Sequence, residues 1–578
     1  AGFIVKLFRR DPTTLRPREE INAEELDTEL VTRTAVVMPI YNEDPDRVFA
    51  GLEATYRSLA DTGEARHFDI YILSDTRDPA IAEKEEAGWA ALCHRLDANG
   101  RIFYRRRRDN TGRKAGNIAD FCRKWGRRYD GMIVLDADSV MAGKTLVALA
   151  RALQATPQAG IIQTVPLPAR QTTLFGRFVQ FAARLYSPML ASGLAFWQLG
   201  EANYWGHNAI IRVSAFTQYC GLPVLPGAPP LGGEILSHDF VEAALLRRGR
   251  WKVFLLPGIE GSYEEVPNNI LDFAKRDRRW AQGNIQHLKL LTLKDLHPLS
   301  RLHFSLGALA YGSSLIWLLL LVLSTFDALE RAVQPTDFFG LGPQLFPDWT
   351  IVDEKQILSL IAVTTAMLLL PKILGVIALR LDRRLWNLFG GFRVVVSAAI
   401  EIIFSVILAP LMMTLHAYFV TSILAGRNVS WDPQNRGADG LTFASCVRAL
   451  WVPTVLGIVW GSVTYALSPF FFWWLSPVIF GLVVAIPLCA WSSRRKAGRC
   501  LRRLGLLLTP EENAPPTELR LVSEALLRNA KEGQKGRPIY LPMRFPLVVP
   551  RDMDPQPLHR WSPFANRKCA RYQPSYRR

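Results

Sequence analysis

Residues 306–326 form 21 consecutive positions without a charged side chain, and residues 449–491 form 43. A bilayer-crossing helix needs roughly 20 predominantly apolar residues, and within lipid a single segment satisfies its own backbone only as a helix. Residues 301–492 are therefore predicted to be an α-helical membrane region. Before residue 300 the apolar runs are short and interleaved with charge, which predicts a soluble domain at 31–300 behind a juxtamembrane linker at 1–30. The opening residues, Ala-Gly-Phe-Ile-Val-Lys-Leu-Phe-Arg-Arg, read as the basic cytosolic end of a span lying upstream of residue 1.

The formal charge of +17 has a place in this arrangement. Arg380, Arg383, Arg384 and Arg393 flank apolar runs, and six Arg or Lys fall within residues 494–503, as expected for cytosolic ends facing anionic lipid. No basic patch interleaved with stacking aromatics is present, which argues against nucleic acid as a partner. The 7 cysteines are scattered without a C-x-x-C pair and fit reduced thiols rather than a disulfide framework or a zinc site. Residues 306–326 should leave the cytosol, 357–379 should return, and 449–467 with 470–491 should form a hairpin. Residues 394–426 are interrupted by Glu401, Pro410 and His416. A single crossing there would put the basic residues 494–503 outside, so the segment is expected to lie interfacially or re-enter, followed by a cytosolic loop at 427–446. Residues 493–578 are expected to be a basic cytosolic tail, loosely structured after about Gly505.

In the soluble region, strand-like runs at 34–40, 68–74, 101–104 and 132–136 alternate with helical stretches at 45–60 and 114–125. That alternation predicts a mostly parallel α/β sheet, whose ligands bind beyond the carboxyl ends of the strands. Polar clusters fall there: Tyr41-Asn42-Glu43, Asp75, and Asp136-Ala137-Asp138. Asp-x-Asp at a strand end fits a diphosphate held through Mg²⁺ or Mn²⁺, and fits equally a strand running into a polar turn. Gly143-Lys144-Thr145 resembles the end of a P-loop, but Asp138 occupies the position where that motif requires glycine.

Four more stretches carry chemistry. Lys114, in Arg113-Lys114-Ala115-Gly116-Asn117, opens a helix where a cation and free amides suit phosphate. Gly206-His207-Asn208 precedes an apolar run. Ser237-His238-Asp239-Phe240 places a carboxylate at a helix start, either as a functional acid or as an N-cap. Residues 276–284, Arg-Asp-Arg-Arg-Trp-Ala-Gln-Gly-Asn, form either an anion clamp or a positive-inside anchor with Trp280 in the aromatic belt.

In this order, and followed by apolar spans, Tyr41-Asn42-Glu43, Asp75, Lys114 to Asn117, Asp136-Ala137-Asp138, His238-Asp239 and Arg276 to Trp280 resemble the processive, inverting family 2 glycosyltransferases. That group includes the cellulose, chitin and hyaluronan synthases, and within it the chain most resembles the bacterial glucosyltransferases of osmoregulated periplasmic glucans. The resemblance implies a GT-A, Rossmann-like domain that polymerises glucose from UDP-glucose into a β-1,2-glucan and passes the growing glucan across the inner membrane. It implies Asp239 as catalytic base and Asp136 with Asp138 as holders of Mg²⁺ or Mn²⁺. Tyr41, Glu43, Asp75, Lys114, Asp136, Arg276 and Arg279 would line the nucleotide-sugar, with Asp75 at the uracil. Trp280, Trp205 and His207 would face the acceptor, and Trp431, Gln434 and Arg436 lie where related synthases carry a gating loop. An acyl carrier protein is implied as a partner by the resemblance alone. His238 stands where the group often has Glu, and Arg276 where it often has Gln. The rival readings are a β-1,4-glucan synthase, a lipid-linked sugar transferase, and a non-enzymatic nucleotide-binding transporter.

Overall fold

The computed structural model describes residues 1–16, 28–333, 354–427 and 440–534. Ten strands run in chain order as β1 Thr34–Ile40, β2 Phe68–Ser74, β3 Ile102–Arg106, β4 Gly131–Val134, β5 Val140–Met141, β6 Ala159–Gln163, β7 Leu167–Pro168, β8 Ala209–Arg212, β9 Lys252–Leu255 and β10 Ser262–Glu264. Seven of them form one sheet in the order β3-β2-β1-β4-β8-β6-β9, and β5-β10-β7 form a second, small sheet. Neighbours in the large sheet are parallel except where β8 runs antiparallel between β4 and β6.

A sheet covered on both faces needs strands that are apolar throughout, and β1 supplies Val36, Val37, Met38 and Ile40, none more than 3% exposed. Pro39 is tolerated in this central strand for a local reason. Odd-numbered residues of β1 bond toward β4, as the Leu135 amide does to the Val37 carbonyl at 2.9 Å. The β1–β4 pairing ends at Val37, so the missing Pro39 N–H removes no ladder bond. One face of the sheet packs a core including Val48, Leu52 and Leu146; the other packs one including Phe121, Trp125 and Phe216. At the carboxyl rim of the sheet residues 41–43 after β1 and 136–138 after β4 are half-buried, while Asp75 after β2 is buried.

Beyond this domain, Pro298–Val333, Leu358–Leu381, Arg393–Leu424 and Phe443–Leu467 are each long and apolar enough to cross a membrane, and the pair Pro469–Val483 and Ala485–Ser492, bent by 49°, would be a fifth. Arg393–Leu424 is one continuous helix that absorbs the expected interruptions. Glu401 pairs with Lys372 Nζ at 2.8 Å and accepts from Tyr186 Oη at 3.1 Å. His416 Nε2 lies 3.1 Å from Asp277 Oδ2, and Pro410 sits within the helix. Both halves of this helix touch elements that carry the soluble domain. Phe404 stacks on Phe178 with centroids 4.0 Å apart, while Val420 and Ile423 pack on Ala281 and Ile285.

The described residues 506–534 differ from the loosely structured expectation. Helix Thr517–Gln534 docks on helix Pro45–Ala60, burying Leu519, Val522 and Ala525 against Ala50, Ala54, Val140 and Tyr263. Two of its charged residues have partners on helix Pro45–Ala60. Arg528 reaches Glu53 at 2.7 Å and Glu518 accepts from Ser58 Oγ at 2.6 Å. Just before it, Glu512 takes both a 2.5 Å and a 3.1 Å bond from the buried Arg177 guanidinium. Partners more than 300 residues away remove the solvation that composition implied.

Candidate functional site

The predicted residues that the structure describes come from the carboxyl ends of β1, β2 and β4, from helices Arg113–Trp125, His238–Arg248 and Ile270–Gln286, and from the loop before β8. Asp75, 6% exposed at the end of β2, is gripped by Arg107, whose Nη2 donates to Asp75 Oδ2 at 2.8 Å. Arg107 also donates to the carbonyls of Thr111 and Arg113, at 3.0 and 2.8 Å. The acid at the strand end thereby anchors the loop that opens helix Arg113–Trp125. Asn42, in the left-handed region at φ 52°, donates its backbone amide to Thr76 Oγ1 at 3.0 Å. Its side-chain oxygen takes the Arg77 amide at 3.2 Å, so Tyr41 and Glu43 are held half-buried beside the β2 end.

Helix Arg113–Trp125 has Gly112 as its N-cap, with no side-chain cap. One residue in, Lys114 Nζ bonds the Asp136 carboxylate and the Gly206 carbonyl, the latter at 2.8 Å. Burial works against the ammonium charge, but Asp136 outweighs it and holds Lys114 above its ordinary value. The turn after β4 is closed by Ser139, whose amide donates to the Asp136 carbonyl at 3.0 Å, leaving Asp136 and Asp138 half-buried at the rim.

Gly206 joins this cluster to Asp239. Its φ is +92°, and a Cβ placed there would fall 3.0 Å from Asp239 Cγ. Asp239 lies in the first turn of helix His238–Arg248, whose N-cap is Ser237. The N-cap alternative thus does not describe Asp239. His238 Nδ1 is 3.0 Å from Glu242 Oε1 and 3.5 Å from Asp239 Oδ1.

The Arg276 to Asn284 stretch lies on helix Ile270–Gln286 and grips the loop ahead of Asp239. Gln282 Nε2 donates to Pro230 O at 3.4 Å, Gln286 Nε2 to Glu234 O at 3.0 Å, and His287 Nε2 to Ser237 O at 2.8 Å. Gly283 is pressed so close that a Cβ would fall 2.2 Å from Ser237 Oγ. Arg276 stacks on the Trp280 ring, 4.3 Å from its centroid, and Trp280 is 47% exposed. Burial pushes Arg276 below its ordinary value, with Glu264 and Asp138 among the charges that oppose this. Arg279 is half-buried on the same helix.

His207 Nε2 lies 3.4 Å from Glu264 Oε2 on β10. Burial opposes the His207 charge, but Asp136 and Glu264 hold it above its ordinary value. Burial, with additions from Asp138 and Asp136, pushes Glu264 up to about 7 against the pull of His207 and Arg276. A pocket that resists more negative charge suits a cation. Among the described residues no group of three or more His, Cys, Asp or Glu has the arrangement to hold a metal alone. The two half-buried carboxylates fit a divalent ion whose remaining ligands come from a bound diphosphate.

Trp205, half-buried, packs at the edge of the core that includes Tyr204 and Ala209. Trp431, Gln434 and Arg436 lie outside the described residues. Three site residues escaped sequence reasoning. Arg107 sits in a run of four arginines, 105–108, that gives no means of choosing among them. Glu264 ends the three-residue strand β10 and belongs to no motif. Glu242 had a usable signal, since it stands four residues after His238, one helical turn away.

The chain matches the families described as "Glycosyl transferase family group 2" over residues 131–488 and "Glycosyl transferase family 2" over residues 35–220. It is similar to "Glucans biosynthesis glucosyltransferase H" of Ralstonia nicotianae, 46% identical over 528 residues that cover 91% of this chain and 60% of that protein. The protein of that description in Pectobacterium atrosepticum is 45% identical, with 90% and 61% covered. The one in a Shewanella species is 45% identical, with 89% and 70% covered. The chain thus spans about 60% of the length of the first two of these relatives.

Proposed function

The chain belongs to the family 2 glycosyltransferases, and from that premise we propose that it transfers glucose from UDP-glucose, with inversion, onto a growing β-1,2-glucan of the osmoregulated periplasmic type. The observation that carries this reading is the convergence of Lys114, Asp136, Gly206 and Asp239 at one rim of the sheet. It supplies a cation and acids for a diphosphate beside a separate carboxylate able to act as base.

In the proposed reaction Asp239 takes the proton of an acceptor hydroxyl as that oxygen attacks the anomeric carbon. The bond from that carbon to the β-phosphate oxygen breaks, and UDP leaves with the electron pair. A positioned base is worth about 10² to 10⁴-fold in rate. Lys114 and Arg276 would stabilise the departing diphosphate. Asp136 and Asp138 would hold Mg²⁺ or Mn²⁺, which when bound neutralises charge on the diphosphate. Asp75, fixed by Arg107, would meet the uracil, near Tyr41 and Glu43. Exposed Trp280 offers the acceptor sugar an aromatic face, with Trp205 and His207 nearer the floor.

The proposed setting is the inner membrane, with the sheet domain cytosolic and the glucan led away among the apolar helices. Contacts along both halves of Arg393–Leu424 with helices Leu174–Gln198 and Ile270–Gln286 support a position for it along the membrane surface beneath the sheet domain. Asp239→Asn tests the central assignment. Turnover should fall by about 10³-fold while UDP binding is kept, and retained turnover would remove Asp239 from the base role.

A further inference from the structure

Glu242 is a carboxylate only 2% exposed, one turn into helix His238–Arg248, and its side chain meets His238 Nδ1 at 3.0 Å. A buried carboxylate without a donor is costly, and a carboxylate only accepts, so Nδ1 carries the proton. The same Nδ1 stands 3.5 Å from Asp239 Oδ1. The imidazole is itself 7% exposed and has little freedom to turn away. A histidine at this position, rather than the glutamate common in the group, places a proton-bearing nitrogen beside Asp239 where a second carboxylate would otherwise repel it.

We infer that His238, backed by Glu242, is a positioning residue: its imidazolium, hydrogen-bonded to Glu242 through Nδ1 and 3.5 Å from Asp239 Oδ1, holds the Asp239 carboxylate by ion pairing in the orientation needed to receive the acceptor proton. This rests on the reading of Asp239 as the base. The groups facing the pair from other elements are Lys114 on helix Arg113–Trp125, Asp136 after β4, Tyr204 and Cys220 in neighbouring loops, Cys122, and His287 behind Ser237. Burial alone would favour loss of the His238 proton. Glu242 and then Asp239 oppose it more strongly than Lys114 assists it, leaving His238 above its ordinary value. The neutral ring keeps its Nδ1–H toward Glu242 but loses the charge that attracts Asp239, so an enzyme that needs this ion pair loses activity on the alkaline side as His238 gives up its Nε2 proton.

The test compares the parent, His238→Gln and Glu242→Gln as full chains in detergent or membranes, with UDP binding measured on each preparation to establish that the donor site is folded. We expect His238→Gln to lower kcat by about 10-fold, to leave the donor KM within about twofold, and to erase the alkaline limb assigned to His238. Glu242→Gln should move that limb to lower pH. A Glu242→Gln profile with its alkaline limb unmoved, or a His238→Gln profile that superimposes on the parent, overturns the inference. Asp239→Asn with retained turnover overturns instead the reading beneath it.

Discussion

Gly206→Ala probes the join between the two halves of the site. A Cβ at residue 206 falls 3.0 Å from Asp239 Cγ and 3.2 and 3.3 Å from its oxygens, inside ordinary contact distance. The carboxylate must therefore withdraw by about half an ångström. Because a misplacement of about 1 Å costs about 10²-fold in rate, that withdrawal should cost roughly 10-fold. The backbone adds its own penalty. A φ of +92° is a conformation that L residues rarely adopt, and holding alanine there costs about 1–3 kcal/mol. Any backbone relaxation also moves the carbonyl that accepts from Lys114 Nζ at 2.8 Å. Initial rates of UDP release at saturating donor, beside UDP affinity by calorimetry, separate these effects. We expect kcat to fall about 10-fold or more with UDP affinity within about threefold. A folded Gly206→Ala enzyme with parental kcat would refute the proposed contact between Gly206 and the base.

Burial holds His287 down at about 4 while its Nε2 bonds the Ser237 carbonyl. The unfolded chain binds a proton near pH 6.5 that the folded chain refuses until about 4. Stability should therefore fall by about 3 kcal/mol as pH drops through that window, and His287→Gln should flatten the pH dependence of the thermal-inactivation midpoint. Parallel curves for the two proteins would count against it. Glu53, 3% exposed, meets Arg528 at 2.7 Å, Arg57 at 2.9 Å and Arg95. Burial raises its pKa, but the bond from Arg528 and the arginine charges outweigh it and hold Glu53 below 4.5. Its contribution is present above 4.5 and lost as pH falls through the lowered native value. Glu53→Gln should cost about 3 kcal/mol at neutral pH and expose helix Thr517–Gln534 to protease sooner. Unchanged digestion would show that the docking does not depend on this cluster.

Much of the site was legible because its acids mark the ends of strands. The predicted bounds of β1 and β2 coincide with those observed, and Asp75 follows directly from β2; the strand read as 132–136 ends at Val134, so Asp136 stands two residues beyond it. Asp239 was legible as an acid at a helix start, but only the structure distinguishes it from an N-cap, because the cap is Ser237. What sequence could not supply was long-range pairing. Arg107 is chosen from its run by Asp75, 32 residues away. His416, read as an interruption, is taken up by Asp277, 139 residues away. Helix Thr517–Gln534 finds partners for Glu518 and Arg528 more than 400 residues earlier, which the composition of a basic tail does not reveal. Its apolar stripe, Leu519, Val522 and Ala525, carried the helical period all along.

The central claim is a glucosyl transfer from UDP-glucose that builds a 1,2-linked chain. Membranes containing the protein, supplied in turn with radiolabelled UDP-glucose, UDP-N-acetylglucosamine and GDP-mannose and followed by linkage analysis of the product, test it most directly. Incorporation is expected from UDP-glucose alone, into a water-soluble, 1,2-linked glucan, and should be abolished by Asp239→Asn. A purely 1,4-linked polymer, or label recovered only in an organic-extractable lipid, would contradict it.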